Sequence, residues 1–112
     1  MPFIDVKLTK TLVPEKKDEL KAQLGSAIAL FPGKSESWLM CNIDDGKAMY
    51  FQGKGGDCAF VEVKLFGAVS AGAADKFTAE MCNIMEKYGI PSDRVYVRYE
   101  GGESWGWNGS NF

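Results

Sequence analysis

Phe3-Ile4-Asp5-Val6-Lys7-Leu8 returns 57 residues later as Phe60-Val61-Glu62-Val63-Lys64-Leu65. Both segments alternate apolar and charged residues, the pattern of a strand with one buried face. The same shift places Leu20, Leu24 and Phe31 on Phe77, Met81 and Tyr88. That spacing puts each trio on one face of a helix. Val13-Pro14-Glu15 opens the first helix, with Pro14 tolerated in its first turn. Pro32-Gly33 closes it, and Gly89 closes the second. Carried on unchanged, the shift sets Trp38, Met40 and Asn42 on Val95, Val97 and Tyr99, a further strand in each half.

Each half therefore reads strand–helix–strand, a βαβ unit with a parallel strand pair. The expectation is one α+β domain over residues 1–112, with repeat halves at about 2–56 and 57–112. A four-stranded mixed sheet would carry two helices on one face. Ala48 to Phe51 reads as a short extra strand between the turns Asp44-Asp45-Gly46 and Gly53-Lys54-Gly55-Gly56. Trp105-Gly106-Trp107 reads as another. The sheet face without helices needs cover, and its apolar residues point to association through it.

A chain of 112 residues suits one domain rather than two. Its net charge is −2, and its basic residues are scattered, which argues against nucleic acid as a partner. βαββαβ chains that present aromatics to RNA have a recognisable signature, and these strands lack it. Three cysteines, Cys41, Cys58 and Cys82, make an odd number without CxxC spacing. They indicate a reduced, cytoplasmic setting rather than a disulfide framework. Asp5, Lys7 and Lys10 interrupt any signal-peptide core, and no apolar run reaches membrane-spanning length.

The sequence contains no histidine. This removes the usual general base, the usual zinc ligand and the histidine-assisted nucleophiles together. Acid–base chemistry near neutral pH then falls to a carboxylate, cysteine, lysine or terminal amine, and no metal or cofactor is expected. Met1-Pro2 offers such an amine. Methionine is generally trimmed before a small residue, which would leave a secondary amine at the head of a strand. Packed among apolar groups or near cations, it would stay neutral and able to take a proton from carbon. Proline is also simply well tolerated at the first residue of a strand, so Met-Pro alone leaves both readings open.

Four pieces stand in order along the chain: the Pro2-Phe3-Ile4 start, Gly33-Lys34, Asp93-Arg94-Val95-Tyr96-Val97, and the run Gly106-Trp107-Asn108-Gly109-Ser110-Asn111-Phe112. With them the sequence resembles the macrophage migration inhibitory factor family of keto–enol tautomerases over essentially its whole length. The resemblance implies homotrimers, with sheets facing inward as a barrel and active sites between subunits. It implies that Pro2 interconverts keto and enol forms of phenylpyruvate-like 2-oxo acids. Lys34 matches the family lysine that contacts the substrate carboxylate; a solvated lysine after a helix end is the plain alternative. Phe66 falls beside the proline, where core packing is the alternative. Tyr96 matches the tyrosine contributed across the interface. Trp105, Trp107 and Phe112 match positions at the pocket mouth, with burial between subunits as their alternative.

Two positions depart from the family. Arg98 stands where better-known members carry asparagine. Strand alternation places it on the Tyr96 face, either in the pocket as a carboxylate clamp or in a surface ion pair with Glu100 or Glu103. Cys58 keeps the first position of the cytokine members' thiol pair, but Val61 replaces the second, so thiol oxidoreduction is not supported. Two other functions stay in view. Relatives that hydrate or decarboxylate small acids rely on arginine near the proline, for which Arg98 is the one hint. A non-catalytic, cytokine-like binding protein would act through its surface, although no charge pattern specifies a receptor.

Overall fold

The computed structural model describes residues 1–111; Phe112 lies outside the described residues. Strand β1 (Pro2–Leu8) leads to helix α1 (Pro14–Ala27), then strand β2 (Met40–Asp44). Strand β3 (Ala59–Leu65), helix α2 (Ala71–Lys87) and strand β4 (Val95–Glu100) repeat the plan. The sheet order is β2-β1-β3-β4, parallel within each half and antiparallel at the central β1–β3 seam. A short hairpin, β5 (Gly106–Trp107) and β6 (Ser110–Asn111), ends the described chain.

The 57-residue shift holds through the first strand and the helix start of each half. β1 and β3 bury alternate residues, Ile4, Val6 and Leu8 in one and Val61, Val63 and Leu65 in the other. Pro14 is the first residue of α1 and Ala71 of α2. Proline suits that place because its missing N–H would have had no helical partner. At α2 the Ser70 side chain accepts from the Ala73 amide at 3.3 Å. Leu20, Leu24, Phe31, Phe77, Met81 and Tyr88 are all buried between the helices and the sheet. Tyr99 joins Phe31 and Phe77, with ring centroids 5.3 to 6.1 Å apart. Its hydroxyl donates to the Ala74 carbonyl and meets Thr78, which pins β4 to α2.

Two expectations need correction. The residues of β2 that pack on the core are Leu39, Cys41 and Ile43, not Trp38, Met40 and Asn42. They match Val95, Val97 and Tyr99, because Ile4 pairs with Cys41 as Val61 pairs with Val97. Seven residues separate Phe31 from Leu39 but six separate Tyr88 from Val95. The shift drops by one in that connection, and a one-residue slip turns every side chain to the other face. Met40 is accordingly 69% exposed. Trp38 ends a single helical turn, Glu36–Trp38, ahead of the strand.

Ala48 to Phe51 does not form a strand; Phe51 and Lys54 exchange backbone hydrogen bonds across a tight turn with Gly53 at φ +72°. The apolar run Ala48-Met49-Tyr50-Phe51 joins neither sheet of the single chain among the described residues. The helix-free sheet face carries charged as well as apolar residues. Alternation brings Asp5, Lys7, Glu62, Lys64, Arg98 and Glu100 to it beside Phe3, Phe60 and Tyr96. Lys7 bonds Asp5 at 2.6 Å and lies 3.9 Å from Glu62, and Asn42 donates to Asp5 at 3.0 Å. Burial opposes the Asp5 charge, but the bonds from Lys7 and Asn42 outweigh it and hold the carboxyl below its ordinary value.

Candidate functional site

The start of β1 sits deep in the sheet. Pro2 is buried and pairs with Leu65, the last residue of β3. The Phe66 amide donates to the Met1 carbonyl at 3.0 Å, extending the seam by one step. Lys34 arrives from the connection after α1. Gly33 adopts φ +78°, a conformation open to glycine, and the Lys34 amide closes the turn on the Phe31 carbonyl at 3.1 Å. The Lys34 ammonium then donates to the Phe66 carbonyl at 2.9 Å and stands 5.9 Å from that ring's centroid. Pro2, Lys34 and Phe66 thus share one corner.

That corner disfavours positive charge on an amine. The Met1 amine is pushed below its ordinary value, first by burial, then by the charge and hydrogen bonding of Lys34. In the untrimmed chain the Pro2 nitrogen is an amide with no basic lone pair. Trimming would free that nitrogen one residue from the amine just described.

A cleft of about 600 Å³ opens here. A row across the sheet, Met40–Phe3–Lys64, follows from strand register and lines it. Met1 and Pro2 close one side, Trp38 and Leu39 another, and Trp105 and Trp107 a third. The Trp107 hairpin turns at Asn108 and Gly109, with φ of +52° and +92°. Asn-Gly is the pair such a two-residue turn favours. It brings Trp107 edge-on to Trp38 at 5.2 Å. All three tryptophans of the chain line this one cleft.

Two expected residues lie elsewhere in the single chain. Tyr96 pairs with Phe60, is 60% exposed and meets Phe51 edge-on at 5.0 Å. Phe60 is four residues from Lys64 on β3, roughly 13 Å at strand rise, so Tyr96 cannot reach its own cleft. Arg98 pairs with Glu62, and its guanidinium donates to the Tyr99 carbonyl at 2.6 Å. Among the described residues it makes no ion pair with Glu100 or Glu103, contrary to that alternative. Phe112 lies outside the described residues. Sequence reasoning missed Trp38, Met40 and Lys64. The first two were hidden by the register slip. Lys64 gave no signal of its own in the sequence, because its place at the cleft follows from the antiparallel β1–β3 register that sets it opposite Phe3.

Burial pushes the Cys41 and Cys82 thiols up, away from thiolate reactivity. Among the described residues no three His, Cys, Asp or Glu side chains gather as a metal site, and no helix is long and apolar enough to cross a membrane.

The family model for macrophage migration inhibitory factor matches residues 1–112. No match was found among curated proteins. Among solved structures, MIF2 of Leishmania major is 31% identical with a TM-score of 0.92, covering 100% of this chain and 97% of that one. The macrophage migration inhibitory factor homologue of Prochlorococcus marinus is 30% identical with a TM-score of 0.81, covering 98% of each. The Toxoplasma gondii macrophage migration inhibitory factor shares the fold at 24% identity and a TM-score of 0.90, covering 98% and 99%. Sequence and fold agree over the full length, and the chain belongs to the macrophage migration inhibitory factor family.

Proposed function

We propose that this protein is a keto–enol tautomerase of phenylpyruvate-like aryl 2-oxo acids, with the Pro2 nitrogen as proton carrier once Met1 is removed. The observation that carries this reading is the placement of Pro2 on an aromatic cleft with the Lys34 ammonium at the same corner. The neutral ring nitrogen takes the proton from the carbon beside the keto group. That C–H bond breaks as an N–H bond forms, and its electrons move into the enolate. The enolate oxygen then gains a proton, and the nitrogen is returned neutral. No electrons leave the substrate, so no cofactor is needed.

Lys34 keeps donors beyond the one given to Phe66 and holds the substrate carboxylate. Phe66 packs beside the proline. Trp105 and Trp107 offer ring faces and edges to the aryl group. Tyr96 projects from the far end of the sheet, so its donation to a keto or enol oxygen requires a neighbouring copy, as in a homotrimer with Arg98 approaching the same interface. The setting proposed is cytoplasmic.

The test joins N-terminal mass analysis to a phenylpyruvate tautomerase assay. Trimmed protein should turn over substrate, and Pro2→Gly should lose at least a hundredfold in kcat/KM, in line with general acid–base catalysis of roughly 10²–10⁴-fold. Trimmed, folded protein without turnover overturns the proposal.

A further inference from the structure

Lys64 is a lysine that the family resemblance does not assign and the mechanism above does not use. It lines the cleft beside Pro2 and Phe3 and also borders two smaller hollows, one toward Gly101–Trp105 and one toward Arg98. Among the described residues its ammonium makes no hydrogen bond and no ion pair within 4.0 Å. Asp5 feels its charge, and Glu100 is its neighbour across the strand, yet neither binds it. Its stem is half-buried, with Phe3 as its partner across the β1–β3 seam. This leaves the charged head at the cleft while the methylenes cover apolar surface.

The register fixes where that head stands relative to Lys34. Pro2 pairs with Leu65. Lys64 precedes Leu65, and Phe66, whose carbonyl holds the Lys34 ammonium, follows it. The Lys34 ammonium is thus held at the residue after Leu65 and the Lys64 stem leaves from the residue before it, their anchoring backbones about 7 Å apart at strand rise on either side of the Pro2 position. A monocarboxylate engages one of the two cations. A molecule with a second carboxylate several carbons farther along its chain is the kind that can engage both.

We infer that Lys64 is a specificity-determining residue that adapts the cleft to 2-oxo acids carrying a second, distal carboxylate. This deepens the tautomerase reading and rests on it for the 2-oxo end of the molecule. Lys34 takes the carboxylate next to the keto group, Lys64 takes the distal one, and the carbon that gives up its proton lies between them at Pro2.

Binding can be measured apart from turnover, because every tryptophan of the chain lines this cleft. Tryptophan fluorescence titration of the full chain compares a saturated six-carbon 2-oxo diacid with the 2-oxo monoacid of equal length. The diacid should bind about tenfold more tightly, as expected for one further charge-assisted contact. Lys64→Gln should bring the diacid down to the monoacid's affinity, Lys64→Met should do the same while keeping the apolar stem, and Lys64→Arg should keep the preference. Equal affinity in the unaltered protein overturns the inference, as does a preference that survives both neutral variants. Diacid preference without any proton exchange at carbon would sustain the role of Lys64 and remove the tautomerase reading instead.

Discussion

The Lys34 ammonium is tied to the Phe66 carbonyl at 2.9 Å, and the Phe66 amide is tied in turn to the Met1 carbonyl at 3.0 Å. One residue thus clamps a positive charge to the beginning of the chain. A lysine on a flexible stem would otherwise lose its position and most of its influence to water.

The clamp has a consequence for pH dependence. Only an uncharged amine accepts a proton, so activity should rise with pH through the amine's pKa. The Met1 amine is lowered by burial first and Lys34 second, and in the proposed mechanism Lys34 acts in the same way on a freed Pro2 nitrogen one residue on. Lys34→Gln removes a repulsion that disfavours the protonated form, so the rising limb of kcat/KM against pH should move to higher pH. A limb that stays in place would separate Lys34 from the amine.

Trp38 should matter for aryl substrates. It meets Trp107 edge-on at 5.2 Å across the cleft. An aromatic contact of this kind contributes about 0.5–1.5 kcal/mol beyond area burial. Trp38→Ala should raise KM for phenylpyruvate roughly three- to tenfold, with a smaller change for an aliphatic 2-oxo acid. Steady-state kinetics on both substrates check this.

Gly101 should resist substitution. A Cβ there would stand 2.5 Å from the Gly67 carbonyl oxygen and 3.2 Å from Val69. The oxygen is fixed, because Gly67 and Gly102 exchange backbone hydrogen bonds of 2.8 and 2.9 Å. Gly101→Ala should destabilise by about 1–3 kcal/mol, the usual cost of overpacking, measured by urea unfolding.

Acid should weaken the Asp57 anchor. Its carboxyl lies below the ordinary value of 3.8, chiefly through Lys10 and then through Thr9. A carboxylate whose folded pKa is depressed adds stability above its unfolded value and loses it as pH falls through the folded one. Asp57→Asn should therefore lower the thermal midpoint at neutral pH and flatten its decline below pH 3.8. Parallel melting curves against pH would contradict this.

Much of the fold was legible because its signal is periodic. Ile4, Val6 and Leu8, and their counterparts Val61, Val63 and Leu65, alternate as half-buried strands must. Leu20 with Leu24 and Phe77 with Met81 mark one face of each helix. Periodicity cannot register a connection that changes length by one residue, which is why Trp38 was placed on the wrong face. Nor can it show that Ala48–Phe51, among the described residues, joins neither sheet of the single chain. Pro2, Lys34 and Phe66 meet at one corner. Tyr96 and Arg98 stand away from that corner in their own chain, because strand direction carries them there, and the resemblance had given Tyr96 to a neighbouring subunit's site.

The pseudo-twofold sets Trp38 and Arg94 in equivalent slots, each ending a helical turn just before the outer strand of its half. Arg94 caps its corner by donating to the carbonyls of Asp57 and Gly55 and lying over the Phe51 ring. Trp38 offers its corner an indole plane and leaves the space beside it vacant. Two copies of one plan thus diverge into a corner filled by an arginine and a corner left open to a cleft, where the chain start and the C-terminal hairpin add walls that the other half lacks.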